Sequence, residues 1–163
     1  MILFLDFDGV LHPDEVYITR SGPRLRGDGE LFMWTPLLDE LLQHFPKVRI
    51  VLSTSWVRQL GFSRAKKRLP PSLQSKIVGS TWHSSMEKDL SNAIWWDHAT
   101  RHDQIARYVA RSQVTDWIAI DDDAQGWDPA HSHRLVLAQP TQGLSDPLAL
   151  AKLKGLLTGN GGD

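Results

Sequence analysis

The residues Ile2-Leu-Phe-Leu5, followed at once by Asp6-Phe-Asp-Gly-Val-Leu11, constrain this chain more than any other stretch. Four apolar residues without helical spacing, closed by an Asp-Gly pair, predict a short strand buried on both faces. Such strands belong to parallel sheets covered by helices on either side. Two carboxylates then leave the hydrophobic layer together, and burying either without a partner is very costly. A divalent cation removes that cost and takes oxygen ligands, while Gly9 lets the chain bend around the site. The plain alternative is a strand running into an ordinary Asp-Gly turn.

The rest of the chain repeats the pattern. Val48-Arg-Ile-Val-Leu52 and Trp117-Ile-Ala-Ile120 predict two more buried strands, and Lys76–Gly79 and Arg134–Leu137 are weaker candidates. Between them lie helical spacings. Leu37, Leu38, Leu41, Leu42 and Phe45 mark one helix, with Thr35 as its N-cap and Pro36 in its first turn. Ile105, Tyr108 and Val109 mark a second, opened by Thr100; Leu150, Leu153, Leu156 and Leu157 mark a third, between Asp146-Pro147 and Gly159. Arg58 to Leu69 reads as a fourth, ended by Pro70-Pro71. Alternating strands and helices predict an α/β fold: a three-layer sandwich around a central parallel sheet with right-handed crossovers.

A chain of 163 residues suits one domain with a real core, 1–163. Two stretches interrupt the alternation. His12 to Trp34 is polar and rich in Gly, Pro and Arg, and reads as a flap or short hairpin; His83 to Ala99 reads as a long loop with room for one short helix. Loops of this length inside a compact domain are usually functional. The tail from about 159 to 163 is expected to fray.

Net charge is −1, which argues against bulk electrostatic binding to nucleic acid or membrane but leaves room for a local basic patch. There is no cysteine, so disulfides, thiolate metal sites and cysteine nucleophiles are excluded. The run Ile2–Leu5 lacks the basic start and the length of a secretion signal. No run approaches the roughly 20 apolar residues that span a bilayer. A cytoplasmic protein without membrane contact is the expectation.

Two further strand ends carry chemistry. Val51-Leu-Ser-Thr-Ser-Trp56 ends in hydroxyl residues, which suit either a phosphate oxygen or the capping of a helix. Ile118-Ala-Ile-Asp-Asp-Asp123 ends in three carboxylates that repel one another unless something positive sits among them. A solvated acidic turn is the alternative there. Open α/β sheets bind ligands at the carboxyl ends of their strands. In one parallel sheet these ends share an edge, so acid, hydroxyl and acid converge.

At this point the chain resembles the haloacid dehalogenase-like (HAD) hydrolases. Asp6-Phe-Asp-Gly-Val, the strand ending at Thr54, a basic residue opening a later helix and the Asp121-Asp122 pair follow the order of that superfamily's four motifs, from residue 2 to about 137. Leu52-Ser-Thr-Ser-Trp56 and Trp117-Ile-Ala-Ile-Asp-Asp are most similar to small members, among them a domain of RNA-repair fusion proteins. The resemblance implies a phosphatase in which Asp6 is the nucleophile and forms an aspartyl phosphate. Asp8 is then the acid and base, and Thr54 binds a phosphoryl oxygen. It implies Mg2+ held by Asp6, the backbone carbonyl of Asp8 and Asp122, with Asp121 in support. Arg101 best fits the third motif, where the family usually has lysine, and Lys88 is the fallback.

The gaps after the first and second motifs leave no room for a large cap domain. Within the superfamily a small cap goes with large or macromolecular substrates, so the partner expected is a phosphorylated small molecule or a nucleic-acid end. The basic runs Arg20, Arg24, Arg26 and Arg58, Arg64, Lys66, Lys67, Arg68 are either solvated faces or guides for an anionic polymer. His83, His98, His102, His131 and His133 show no zinc-site spacing, and His131/His133 reads as a loop pair. Trp56, Trp82, Trp95, Trp96 and Trp127 read as packing. Two rivals are a phosphorylatable receiver domain and a catalytically silent phosphate- or metal-binding module. The first is disfavoured because Asp6 follows the first strand, and the second by the intact Asp6, Asp8 and Asp122.

Overall fold

The computed structural model of the chain describes residues 1–159. Five parallel strands form the central sheet in the order β5-β4-β1-β6-β7. They are β1 (Ile2–Leu5), β4 (Arg49–Leu52), β5 (Ile77–Ser80), β6 (Trp117–Asp121) and β7 (Leu135–Leu137). Each expected strand is present within a residue of its expected bounds. An antiparallel hairpin, β2 (Val16–Thr19) and β3 (Gly22–Leu25), occupies the stretch expected to be a flap. Among the described residues no helix is long and apolar enough to cross a membrane.

The three central strands are apolar except for Arg49 at the start of β4 and Asp121 at the end of β6, because both sheet faces are covered. On one face Leu3, Leu5, Ile50, Leu52, Ile118 and Ile120 pack under α1 (Thr35–Gln43), α2 (Ser55–Leu60) and α7 (Pro147–Gly159), against Leu38, Leu42, Trp56 and Leu153. On the other, Phe4, Val51 and Ala119 pack under α6 (Arg101–Ser112), against Ile105 and Tyr108. The alternation along each strand is the period of two that a pleated strand imposes. Each fully buried Leu or Ile stabilises the fold by about 1.5–3 kcal/mol relative to exposure. The layers are therefore the three expected, with no large cap.

Four local expectations are corrected. Thr35 is not the N-cap of α1 but its first residue; the cap position belongs to Trp34, whose N–H donates to Leu11 O, and the Thr35 hydroxyl makes no hydrogen bond. The single helix expected over Arg58–Leu69 is broken at Gly61, which sits at φ +91° between α2 and α3 (Phe62–Lys66). The stretch 83–99 is mostly helical, with a 3-10 turn at Ser84–Lys88 and α5 (Leu90–His98) capped by Asp89. Gly159, expected just beyond the last helix, is the last residue of α7; the rest of the expected frayed tail lies outside the described residues. A short helix, α4 (Pro71–Gln74), follows the two prolines.

Parallel register sets the site. Leu5 lies between Leu52 and Ile120, so Asp6, Ser53 and Asp121 are the next residues along one edge of the sheet. Asp6 N–H still donates to Ile120 O at 3.2 Å, and Ser53 N–H to Leu5 O at 2.9 Å. The first acid therefore remains in the rigid ladder.

Candidate active site

Asp6 and Asp121 are 3% and 1% exposed, almost wholly withdrawn from water. Carboxylate oxygens of Asp6, Asp121 and Asp122 lie within 4.8 Å of one another. Burial and the nearby charge of Asp6 push Asp121 well above the ordinary carboxylate range and Asp122 up to about 7. Burial also raises Asp6, against the pull of the Arg101 charge and of bonds from the Phe7 amide and the Thr54 hydroxyl. Gly9 packs directly against the Asp122 side chain. It adopts φ +70°, and a Cβ there would overlap the Asp122 carboxylate, so only glycine fits.

The positive charge comes from α6. Thr100 caps this helix, accepting from Asp103 N–H at 3.1 Å while the Asp103 carboxylate accepts from Thr100 N–H at 2.9 Å. This reciprocal capping box fixes the first helical residue, Arg101. Its Nε lies 2.8 Å from Asp121 Oδ2, and its terminal nitrogen 3.6 Å from Asp6 Oδ1. Burial opposes the guanidinium charge, but Asp6 and Asp121 outweigh it and raise its pKa further. The approach to Asp121 is a charge contact without hydrogen-bond alignment, so Asp121 Oδ2 is a buried oxygen with no directed donor. Lys88 is exposed on its 3-10 turn and forms no ion pair among the described residues.

Thr54 takes the capping role, one of the two that its sequence position suggested. It is the N-cap of α2, its Oγ1 accepting from Trp56 N–H at 3.4 Å, and its hydroxyl also bonds the Asp6 carboxylate. The carboxylate of Asp8 stands apart from the acid cluster. Its Oδ1 accepts from the indole N–H of Trp56 at 2.8 Å and lies 2.9 Å from His12 Nε2. Neither Trp56 nor His12 was singled out for the site from sequence. Trp56 reads as packing, and His12 as the first residue of a polar stretch. The one usable signal is that His12 stands four residues after Asp8.

A cleft of about 320 Å³ adjoins this cluster, with Thr54, Thr81, Arg101, Trp82, Trp96 and His98 among its lining residues. A model of the HAD domain in Swiss Army Knife RNA repair proteins matches residues 2–149. The chain belongs to this family. Membership in the HAD family agrees with the resemblance in the motifs and with the five-stranded parallel sheet, and it places the chain in a hydrolase superfamily of the phosphatase type. Comparison with curated proteins and with solved structures gave no match.

HAD domains typically use Mg2+, and the donor set here suits a hard dication. Three carboxylates converge, one of them with a buried oxygen that meets only the Arg101 charge, and all are oxygen ligands. Their raised pKa values express what a cation would relieve, namely like charges held together away from water.

Proposed function

We propose that this HAD domain is a magnesium-dependent phosphomonoester hydrolase acting through an aspartyl phosphate on Asp6, with a phosphorylated nucleic-acid end as substrate. The observation that carries the chemistry is the division of labour between the two acids of the first motif. Asp6 sits against Arg101 and the Asp121/Asp122 pair, whereas Asp8 is turned to two N–H donors.

In this reading a carboxylate oxygen of Asp6 attacks phosphorus as the bond to the leaving oxygen breaks. Asp8 gives that oxygen its proton. Asp8 then takes a proton from the water that attacks the aspartyl phosphate, releasing phosphate and restoring Asp6. Arg101 and the Thr54 hydroxyl bind phosphoryl oxygens. Asp6, Asp122 and the Asp8 carbonyl would hold magnesium, with Asp121 in support, and the ion would supply positive charge to offset that of the phosphate.

Three features support the nucleic-acid end. The family is described from RNA repair proteins. Arg20, Arg24 and Arg26 are exposed on and beside the hairpin. Arg68, just beyond α3, lies 3.8 Å from where a side chain at Gly22 would begin, and its guanidinium is 5.7 Å from the Trp56 ring. The basic segments thus meet beside the tryptophan that holds Asp8. The test is a screen of phosphorylated metabolites against 3′- and 5′-phosphorylated oligonucleotides with Mg2+. Turnover of an oligonucleotide end well above every metabolite supports the reading; a preferred small metabolite replaces the substrate, and no turnover of any phosphomonoester overturns the chemistry.

A further inference from the structure

Outside the acid cluster, one group of side chains has the composition of a transition-metal site. His102, the second residue of α6, is buried, and its Nε2 lies 3.0 Å from Nδ1 of His131. Ligand atoms of these two residues and of Asp128 all lie within 4.8 Å of one another. We propose that His102, His131 and Asp128 bind a zinc-class divalent cation, which clamps the first turn of α6 to the loop that follows β6.

Two neutral imidazoles that face each other nitrogen to nitrogen share one proton at most. A cation in its place engages both lone pairs. Two imidazoles on a tetrahedral zinc ion, with Zn–N near 2.0–2.1 Å, place their nitrogens about 3.3 Å apart. The observed 3.0 Å needs only a small opening to reach that value. Two imidazoles and one carboxylate form a borderline-soft set that favours zinc, in contrast to the all-oxygen cluster at Asp6. Burial and His131 both lower the pKa of His102, favouring the neutral form that a ligand requires.

The frame around the group is already built. The Trp127 ring packs edge-on against His102 at 5.1 Å, and the Trp117 ring against His131 at 5.4 Å. Trp127 Nε1 donates to His131 O at 3.1 Å, fixing the turn that carries this histidine. Asp128 Oδ1 accepts from Ala130 N–H at 2.8 Å, which orients the carboxylate and leaves Oδ2 for a ligand. Such outer bonds are what hold metal ligands in register. His131 is half-buried and Asp128 exposed, so the site borders solvent and offers an entry path.

The position gives the clamp a use. His102 follows Arg101 directly, and Asp128 closes the loop that begins with Asp121, Asp122 and Asp123. A cation joining them ties the guanidinium to the acids it faces, through a route separate from the acid cluster itself.

Tag-free protein stripped with a chelator and titrated with Co2+ separates this site from the acid cluster. The Asp6→Asn/Asp122→Asn double variant, which disables the acid cluster, is expected to bind one equivalent with the intense visible bands of a nitrogen-ligated, low-coordinate ion. Zinc is expected to displace it and to raise the melting temperature. In the same background His131→Ala is expected to lose the bands and the thermal shift, with affinity reduced more than tenfold. His131 is half-buried, and unchanged far-ultraviolet dichroism checks that this variant folds. Absence of the bands in the double variant overturns the proposal, as does their survival in His131→Ala. The readout is metal binding, independent of phosphatase activity.

Discussion

His12 donates a hydrogen bond to Asp8, Nε2 to Oδ1 at 2.9 Å, and the backbone fixes its direction. The N–H of Phe32 donates to His12 Nδ1 at 3.1 Å, so that nitrogen is an acceptor and the ring proton resides on Nε2. With Trp56 donating to the same oxygen, Asp8 Oδ1 is fully engaged, and in the proposed mechanism Oδ2 is the oxygen that exchanges a proton with the leaving group. Trp56→Phe keeps the ring and removes one donor; His12→Asn removes the other. Each is expected to lower kcat about 10- to 100-fold with little change in KM, since misplacing a reacting group by about 1 Å costs that much. Steady-state kinetics on the best substrate decide it. A kcat within twofold of wild type for both variants removes them from the mechanism.

Asp6→Asn is expected to abolish turnover, because an amide does not form the acyl phosphate. The same change deletes a buried charge from a cluster of like charges, so the metal-free variant is expected to melt above the wild type. Calorimetry in chelator beside an activity assay reads both. Near-wild-type turnover sinks the nucleophile assignment.

Arg101→Ala leaves the Asp6 and Asp121 carboxylates without their cation. The expected cost is about 3–5 kcal/mol at neutral pH without metal, as for a buried pair broken on one side. Arg101→Lys is expected to recover part of the stability and more activity than alanine, since a lysine stem reaches the same acids with a compact charge. Chemical denaturation of the three proteins ranks them, and an unchanged midpoint for alanine contradicts the pairing.

The pH dependence follows from the raised carboxylates. Asp122 has a folded pKa of about 7 against an ordinary value of 3.8, so between these the folded state holds more protons than the unfolded one. Stability of the metal-free protein therefore falls as pH rises from about 4 towards 7, the reverse of a salt-bridged aspartate. Asp6 and Asp121 add in the same direction. Mg2+ held at this cluster would favour the ionised forms, so its stabilising effect is expected to be larger at pH 8 than at pH 6. Melting curves at the two pH values, with chelator and with Mg2+, give the four numbers; a larger Mg2+ shift at pH 6 contradicts the site.

What the chain discloses before folding depends on the range of the interaction. The sheet was legible because strands buried on both faces read as unbroken apolar runs, and parallel register then carried Asp6, Ser53 (next to Thr54) and Asp121 to one edge. The start of α6 was legible because its Thr100–Asp103 capping box is local. Helix α5 was not, since Leu90 and Ile94 face solvent and only Trp96 is buried, which leaves no apolar stripe. Nor was the break at Gly61, where helical spacing continues on both sides. The contacts of Trp56 with Asp8 and of His102 with His131 join residues 48 and 29 positions apart, and no spacing rule reaches across such distances.

The route of the substrate to Asp6 provides the last test. The hairpin leaves the sheet after β1, and α2 with α3 behind it follows β4, which is the neighbour of β1, so the two segments depart from adjacent strand ends. Arg68 lies between them, near Gly22 of the hairpin and Trp56 of α2. With a net charge of −1 the whole chain does not attract a polyanion, so any attraction must come from this local cluster. An end-phosphorylated oligonucleotide is expected to show a kcat/KM that falls steeply with salt, while a mononucleotide shows little dependence, because only the longer strand releases several counterions on binding. Arg24→Glu with Arg68→Glu is expected to flatten the oligonucleotide slope and leave the mononucleotide rate near its original value, since neither side chain belongs to the acid cluster. The bland alternative is that each arginine is solvated independently and points away from the substrate. It predicts equal, salt-independent rates for the two substrates, before and after charge reversal, and that result would leave a small-molecule phosphatase as the better reading.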